Sequence, residues 1–250
     1  MKIKTVSILG LPIAVLTMEE VLNWAEAKLE SQEVAQIITA NAEIIYRAYR
    51  DPQLADLFKK AAVITADGAG VVWASEKLNT PLPERVTGVD LTQRLLALAS
   101  QKNWSVYFLG AKPEVVKQAV LRTLSKYPHL QIVGYQHGYF CKQEISQIVS
   151  KIQQAKPDLL LVAMGAPRQE IFIQEYLPQL NTKLAMGVGG TFDILAGTAA
   201  RAPLWMQKHG LEWFYRLCRQ PWRIGRMLSL PRFIMAVYKQ KRAFSRLDKS

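Results

Sequence analysis

Short apolar runs alternate along this chain with segments whose apolar residues recur at helical spacing. The runs predict buried strands at residues 35–41, 62–66, 105–110, 130–134, 158–165 and 183–187. The segments between them predict helices that each turn one apolar face inward. Strands that alternate with helices in this way favour an α/β fold, with a mostly parallel sheet covered by helices on both faces.

Local signals sharpen the boundaries of several predicted elements. Thr17 and Glu20 have the spacing of a capping box, so a helix is expected to begin just after Thr17. Pro113 fits the first position of another helix. Residues 5–16 imitate the apolar part of a signal peptide, but Pro12 interrupts the run, and two short strands are the better interpretation. No apolar stretch reaches the length of a membrane span.

Charge is distributed unevenly along the chain. The net charge is +12, and residues 201–250 hold twelve basic but only two acidic side chains. We therefore predict a nearly neutral domain at residues 1–198 and a basic, aromatic-rich helical appendage at residues 199–250. Amphipathic basic helices that carry tryptophan suit an anionic membrane surface, although they can also be packing helices with solvated arginines. The two cysteines, Cys141 and Cys218, are far apart and favour a reducing compartment.

Polar side chains collect where the predicted strands end. Asp67 follows a buried strand and precedes Gly68, which suggests a carboxylate that a ligand can approach. On this stretch alone, an aspartate that only caps the next helix through a backbone N–H group is the simpler interpretation. If the sheet is parallel, the polar strand ends share one rim, where open α/β sheets bind ligands. The residues expected at this rim are Thr39, Asn41, Asp67, Gly110, Gln169 and Asp193.

Several familiar nucleotide motifs are missing from the chain. The two glycine runs that begin at Gly68 and Gly187 lack the third glycine of the dinucleotide fingerprint, because Trp73 and Phe192 occupy its place. There is no Walker A sequence and no Asp-x-Asp metal clamp. A bound diphosphate would therefore need backbone N–H groups and arginines, for which Arg85 and the tail are the obvious sources.

An ordered set of short motifs resembles a known family over residues 8–240. The set consists of Ile38-Thr39-Ala40-Asn41-Ala42-Glu43, Ala66-Asp67-Gly68, Arg85-Val86-Thr87-Gly88-Val89-Asp90, Phe108-Leu109-Gly110, Gly165-Ala166-Pro167-Arg168-Gln169-Glu170, Gly187-Val188-Gly189-Gly190-Thr191-Phe192-Asp193, Arg201-Ala202-Pro203, Gly210-Leu211-Glu212-Trp213 and Arg216-Leu217. Together they resemble the WecG/TagA/CpsF glycosyltransferases, glycosyltransferase family 26. The resemblance implies a Rossmann-like catalytic domain of the GT-E type.

The resemblance also implies an activity. It implies inverting transfer of a sugar, often N-acetylmannosamine, from a UDP-sugar to a polyprenyl-diphosphate-linked acceptor in the synthesis of a cell-surface polymer, without a metal or another cofactor. The expected partners are these substrates and an anionic membrane surface, with no nucleic acid, and a homo-oligomer can form. The expected location is cytoplasmic, peripheral to the inner face of the cell membrane.

The resemblance assigns roles to individual positions. Asp67 corresponds to the catalytic base, which inverting transfer needs in order to remove the acceptor's proton. Three groups of residues complete the implied site: Thr39 and Asn41 in the sugar pocket with Arg85 and Gln169 close by, Gly189 and Asp193 at the nucleotide, and Arg216, Arg223 and Arg226 over the diphosphate.

Two other classes of function remain open on the residues alone. A nucleic-acid-binding protein would use the basic tail, but it leaves the polar strand ends without a purpose. A nucleotide-dependent oxidoreductase could use the same sheet.

Overall fold

The computed structural model describes residues 3–31, 33–219 and 229–247. Its strands are Thr5–Ile8 (β1), Leu11–Ala14 (β2), Ala35–Ala40 (β3), Val63–Ala66 (β4), Ser105–Gly110 (β5), Gln131–Gln136 (β6), Leu159–Ala163 (β7) and Leu184–Gly187 (β8). Its helices are Met18–Glu30 (α1), Ala42–Arg50 (α2), Pro52–Lys59 (α3), Ala69–Lys77 (α4), Gly88–Lys102 (α5), Pro113–Lys126 (α6), Ile145–Ala155 (α7), Arg168–Tyr176 (α8), Thr191–Leu195 (α9), Leu204–Lys208 (α10), Glu212–Arg219 (α11) and Ser229–Leu247 (α12).

Six strands form one parallel sheet in the order β4-β3-β8-β7-β5-β6. The predicted parallel α/β fold is therefore confirmed. β1 and β2 form a separate antiparallel hairpin, and β2 packs beside β4. Every residue of β3, β4, β7 and β8 is buried, which explains why the sequence shows continuous apolar runs rather than alternation.

The predicted local signals hold in the structure. Thr17 and Glu20 form a reciprocal capping box at the start of α1, and Pro113 is the first residue of α6. A helix predicted from residue 142 instead begins with a 3-10 turn at Lys142–Glu144, where the carboxylate of Glu144 accepts the backbone N–H of Cys141. The regular helix α7 follows from residue 145.

Two layers of helices cover the sheet. Residues of α1, α5, α6 and α9 share one core cluster with the strands, in which the rings of Phe108 and Phe192 stack with centroids 4.9 Å apart. Residues of α7 and α8 belong to a cluster that lines the other side of β5, β7 and β8. The helices thus leave the carboxyl ends of the strands open at one edge.

The last described helix, α12, returns to the body of the protein. Phe233 and Val237 are fully buried in the cluster that also holds the hairpin and α2. Burial of each of these side chains contributes about 1.5 to 3 kcal/mol. The side chain of Gln240 also bonds to the hairpin, because its amide donates to the carbonyl of Ser7 and accepts the N–H of Leu9, both at 2.8 Å. The two predicted segments therefore share a core, and the boundary at residue 198 stays a prediction.

Candidate active site

A cavity of about 500 Å³ opens at the carboxyl edge of the parallel sheet. It lies where the loops after β3, β4, β5, β7 and β8 meet, as the edge rule for open α/β sheets requires. Six of the residues singled out from the sequence line it, namely Thr39, Asn41, Asp67, Gln169, Gly189 and Asp193. The structure thus brings together side chains that lie up to 154 positions apart in the chain.

Asp67 sits directly after β4 and faces the start of α5. The backbone N–H of Gly88 donates to Oδ2 of Asp67, with an N···O distance of 3.2 Å. Gly88 is the first residue of α5, which Thr87 caps, so the carboxylate meets the positive end of a helix dipole. This bond orients Asp67 toward the cavity instead of using it to cap α4, whose N-cap residue is Gly68. Asp67 is therefore not the cap of α4, the next helix in the chain, but its carboxylate does accept an N–H group at the start of another helix, α5.

Thr39 converges on the same point from the neighbouring strand. A Cβ atom on Gly88 would lie 2.9 Å from Thr39 Oγ1 and 3.5 Å from Asp67 Oδ2. Glycine at position 88 is what lets a hydroxyl and a carboxylate approach one helix end together. The hydroxyl of Thr39 also lies 3.4 Å from the carbonyl of Gly187, to which it donates.

Asn41 has a structural task that limits what it can offer a ligand. It is the N-cap of α2, and its Oδ1 accepts the backbone N–H of Ile44 at 3.0 Å. Because the side-chain oxygen is used by the helix, the amide Nδ2–H group is the part of Asn41 that can donate to a sugar hydroxyl.

Gln169 joins two loops of the cavity. Its Oε1 accepts the backbone N–H of Gly165 at 3.1 Å and that of Gly189 at 3.0 Å. Its Nε2 donates to Oε1 of Glu170 at 2.7 Å. All three bonds require the same orientation of the amide, so Gln169 holds the loops after β7 and β8 in fixed register.

Glu170 is buried behind Gln169, and its pKa is far from the ordinary range of a glutamate. Burial raises the pKa of Glu170 to about 6, although the hydrogen bond from Gln169 acts in the opposite direction. Within the part of the chain that the structure describes, its second oxygen, Oε2, has no hydrogen-bond partner. Glu170 therefore helps to orient Gln169, which holds the loops after β7 and β8, but its buried carboxylate lowers the stability of the folded protein.

The residues predicted to neutralise a diphosphate are not all at the cavity. Arg85 does not line it, because its Nη1 points to Oε2 of Glu212 in α11, 3.5 Å away. Arg216 lies in α11, but its side chain lies outside the described part of the structure, as do the whole of Arg223 and Arg226. The predictions for these three arginines remain open.

Two cationic side chains that were not predicted as site residues also line the cavity. Lys112 follows the end of β5 and precedes α6, and Arg168 is the first residue of α8. The guanidinium of Arg168 lies 5.3 Å from the centre of the Phe140 ring. Their positions just after strand ends could have revealed them, by the same rule that selected Asp67.

Arg201 connects the tail to the body beside the site. Its guanidinium forms two hydrogen bonds to the carboxylate of Asp90, and it also approaches Glu212. Burial alone would raise the pKa of Asp90, but the hydrogen bonds from Arg201 and Thr87 outweigh it and lower that pKa. The loop that carries Thr87 and Gly88 is thereby tied to the start of the tail.

Neither a metal cluster nor a membrane span is found in the described ranges. No group of three or more His, Cys, Asp or Glu side chains there could hold a metal ion. Of the helices described, none combines the length and the apolar character that crossing a membrane requires.

An open parallel sheet with a cavity at its carboxyl edge, lined by a carboxylate, a hydroxyl and loops of backbone N–H groups, is typical of the class of α/β proteins that bind nucleotides or sugars. Comparison with known proteins narrows this class. The model of the glycosyl transferase WecG/TagA/CpsF family matches residues 6–247. The chain belongs to this family, so it is a glycosyltransferase, and the predicted resemblance is confirmed.

Similar curated proteins cover almost the whole chain. A protein of Bacillus subtilis strain 168 is 35% identical over 240 residues, which is 96% of this chain and 93% of that protein. A protein of Bacillus spizizenii is 39% identical over 215 residues, or 86% and 83% of the two chains. One of Staphylococcus aureus strain MW2 is 35% identical over 239 residues, or 95% and 93%. Each is named N-acetylglucosaminyldiphosphoundecaprenol N-acetyl-beta-D-mannosaminyltransferase.

Proposed function

We propose that this glycosyltransferase moves N-acetylmannosamine from a UDP-sugar to a polyprenyl-diphosphate-linked N-acetylglucosamine, with inversion and without a metal, in the synthesis of a cell-surface polymer. The names of the similar proteins supply the sugar and the acceptor. The observation that carries the proposal is the convergence of Asp67 and Thr39 on the first residue of α5.

Asp67 is the catalytic base in this proposal. It accepts the proton of the acceptor hydroxyl while that oxygen forms a bond to the anomeric carbon of the donor sugar. The bond from this carbon to the UDP oxygen breaks on the opposite side, so the configuration inverts. UDP leaves with the electron pair, and the proton remains on Asp67 until solvent removes it.

The leaving diphosphate needs positive charge near it as the bond breaks. Lys112 and Arg168 line the cavity and can provide part of that charge. Backbone N–H groups of the loop that begins at Gly189 can provide more, and Asp193 in the next turn can accept from the nucleotide. We further propose that Arg216, Arg223 and Arg226 complete this set and that Arg85 acts from its place beside Glu212.

The enzyme works at the inner face of the cell membrane in this proposal, as a peripheral protein. Large exposed apolar side chains in the tail support this membrane association, since Trp205 and Met235 are 58% and 64% exposed. Exposed apolar side chains together with a tail charge of +10 suit an anionic lipid surface. Assembly as a homo-oligomer stays a prediction.

Transfer by Asp67 variants tests the proposal. With UDP-N-acetylmannosamine and a short-chain prenyl-diphosphate-N-acetylglucosamine, Asp67→Asn and Asp67→Ala should lower kcat by about 10² to 10⁴, the usual contribution of a general base. Asp56→Asn, on the exposed side of α3, is the matched control and should keep full activity. Undiminished turnover in Asp67→Asn would exclude Asp67 as the base.

The donor and the need for a metal are tested in the same assay. A panel of UDP-hexoses should give the fastest UDP release with UDP-N-acetylmannosamine. The rate should not change when EDTA is added. If no UDP-hexose releases UDP in the presence of the lipid-linked acceptor, the proposed substrates are wrong.

A further inference from the structure

A second cleft, of about 420 Å³, lies next to the active-site cavity between α2, α3 and α12. Glu43 lines both the cleft and the cavity, so the two are neighbours that share a wall. Three arginines line the cleft, namely Arg47, Arg50 and Arg232. Neither the sequence motifs nor the similar proteins assign a role to this cleft.

Arg47 is fixed in the wall between the two spaces. Its Nη2 pairs with Oε1 of Glu43 at 3.0 Å, and its Nη1 donates to the carbonyl of Ala166 at 3.4 Å. Ala166 itself lines the active-site cavity. A group bound at Arg47 would therefore be held beside the reacting centre.

Arg50 and Arg232 are exposed at the mouth of the cleft, and within the described ranges neither forms an ion pair. Two acidic residues also line the cleft, but both are engaged: Glu43 pairs with Arg47, and Asp51 caps α3 by accepting the N–H groups of Gln53 and Leu54. The two outer guanidinium groups are thus available to an anion.

The position of Arg232 is set by the packing of α12 against the body. Phe233, the next residue, is completely buried, and Gln240 anchors the helix to the hairpin. Met235 and Tyr238 stand one and two turns further along α12 and are 64% and 45% exposed. Positive charge at the cleft is therefore followed by apolar surface along the same helix.

From this arrangement we infer that the arginine cleft binds the diphosphate of the lipid-linked acceptor. The inference rests on the proposed function, in which the acceptor places a hydroxyl at Asp67 and carries its diphosphate on the far side of one sugar ring. A cleft that adjoins the cavity meets this requirement. Guanidinium groups bind phosphate oxygens in pairs of parallel hydrogen bonds, which makes arginine the suitable residue. The prenyl chain then leaves past Met235 and Tyr238 toward the membrane.

The test reverses charge at the mouth of the cleft. The double variant Arg50→Glu/Arg232→Glu is compared with the control variant Lys117→Glu/Lys151→Glu, which makes the same charge change on exposed positions of α6 and α7, outside the cleft, the cavity and the tail. The soluble short-chain prenyl-diphosphate-N-acetylglucosamine serves as acceptor. The cleft variant should raise the KM for this acceptor by about tenfold or more, while the KM for the UDP-sugar changes less than about twofold. The control should change neither KM beyond about twofold.

A neutral alkyl glycoside of N-acetylglucosamine has no diphosphate, so its use as an alternative acceptor shows which part of the effect depends on that group. Its transfer should be equally slow in the wild type and in the cleft variant. If the cleft variant lost the same factor in kcat/KM with both acceptors, the arginines would act on the shape of the active-site cavity and not on the diphosphate, and the inference would be wrong.

Vesicles of phosphatidylglycerol distinguish the acceptor diphosphate from lipid headgroups. The cleft variant should bind these vesicles no more weakly than Lys239→Glu/Arg242→Glu, which makes the same charge change on exposed positions of α12 outside the cleft. If it loses vesicle binding and yet keeps the wild-type KM for the soluble acceptor, the cleft is a headgroup site and the inference fails.

Direct binding separates this inference from the proposed reaction. Calorimetric titration with the prenyl-diphosphate-N-acetylglucosamine probe should give a Kd about tenfold weaker in the cleft variant. That result would support the diphosphate site even if the wild type transferred no sugar. Equal Kd values would refute the site while leaving the proposed transferase activity intact.

Discussion

The substitution Glu170→Gln should make the protein more stable at neutral pH. Glu170 is 1% exposed, accepts one hydrogen bond from Gln169, and faces no cation among the groups that alter its pKa. Its pKa is about 6 in the folded protein against an ordinary value of 4.5. At 1.36 kcal/mol per pH unit, the buried charge lowers the free energy of unfolding by about 2 kcal/mol above pH 6.

The sign of the pH dependence follows from proton binding. Between about pH 4.5 and 6 the folded protein keeps a proton on Glu170 that the unfolded chain has lost. The folded state therefore binds more protons, and the contribution of Glu170 to the free energy of unfolding falls as the pH rises through this window. Glutamine cannot titrate, so the variant lacks this fall. Its new amide group costs about 1 kcal/mol at any pH, since the site of Oε2 offers no partner within the described residues.

Urea unfolding followed by tryptophan fluorescence measures the effect. At pH 7.5 the free energy of unfolding of Glu170→Gln should be about 1 kcal/mol higher than that of the wild type, and at pH 4 it should be about 1 kcal/mol lower. The difference between the two proteins should therefore change by about 2 kcal/mol across the window. Glu175→Gln, at an exposed position of α8, controls for the loss of one negative charge. A difference that stays constant from pH 4 to 7.5 would refute the reasoning about Glu170.

Two glycine substitutions give further predictions. Gly88→Ala would place a Cβ atom 2.9 Å from Thr39 Oγ1. The kcat for sugar transfer should therefore fall about tenfold or more, while the free energy of unfolding changes by less than about 1 kcal/mol. An unchanged kcat would contradict the close approach of Thr39 and Gly88. Gly110→Ala, at φ +126, would drive a Cβ into the backbone of Ala163 and should cost more than about 3 kcal/mol in urea unfolding. Gly10→Ala, at φ +87 with open space around it, should lower the free energy of unfolding by only about 1 kcal/mol. If both substitutions lowered the free energy of unfolding equally, the positive φ and not the overlap with Ala163 would determine the loss.

Much of the candidate site was predictable because the signal is local. An apolar run followed by Asp67, or by Thr39 and Asn41, marks the end of a buried strand, and parallel strands end at one edge. What a side chain does at that edge was not predictable. Arg85 lies three residues from Gly88 in sequence, but it turns to Glu212, which is 127 positions away. The direction of a long side chain depends on its tertiary partners, and no local pattern contains them.

The alternation of strands and helices, the helix caps and the polar strand ends could all be predicted from the chain, because these features depend on contacts within a few residues. The position of β8 between β3 and β7 is visible only in the folded protein, where it lets Gln169 hold the loops of Gly165 and Gly189 together. The fold also returns α12 to the body, which buries Phe233 beside the hairpin and brings Arg232 to the cleft of Arg47 and Arg50. Such pairings follow from the total apolar area that the chain can bury at once and from how the surfaces fit, and neither quantity belongs to any single segment.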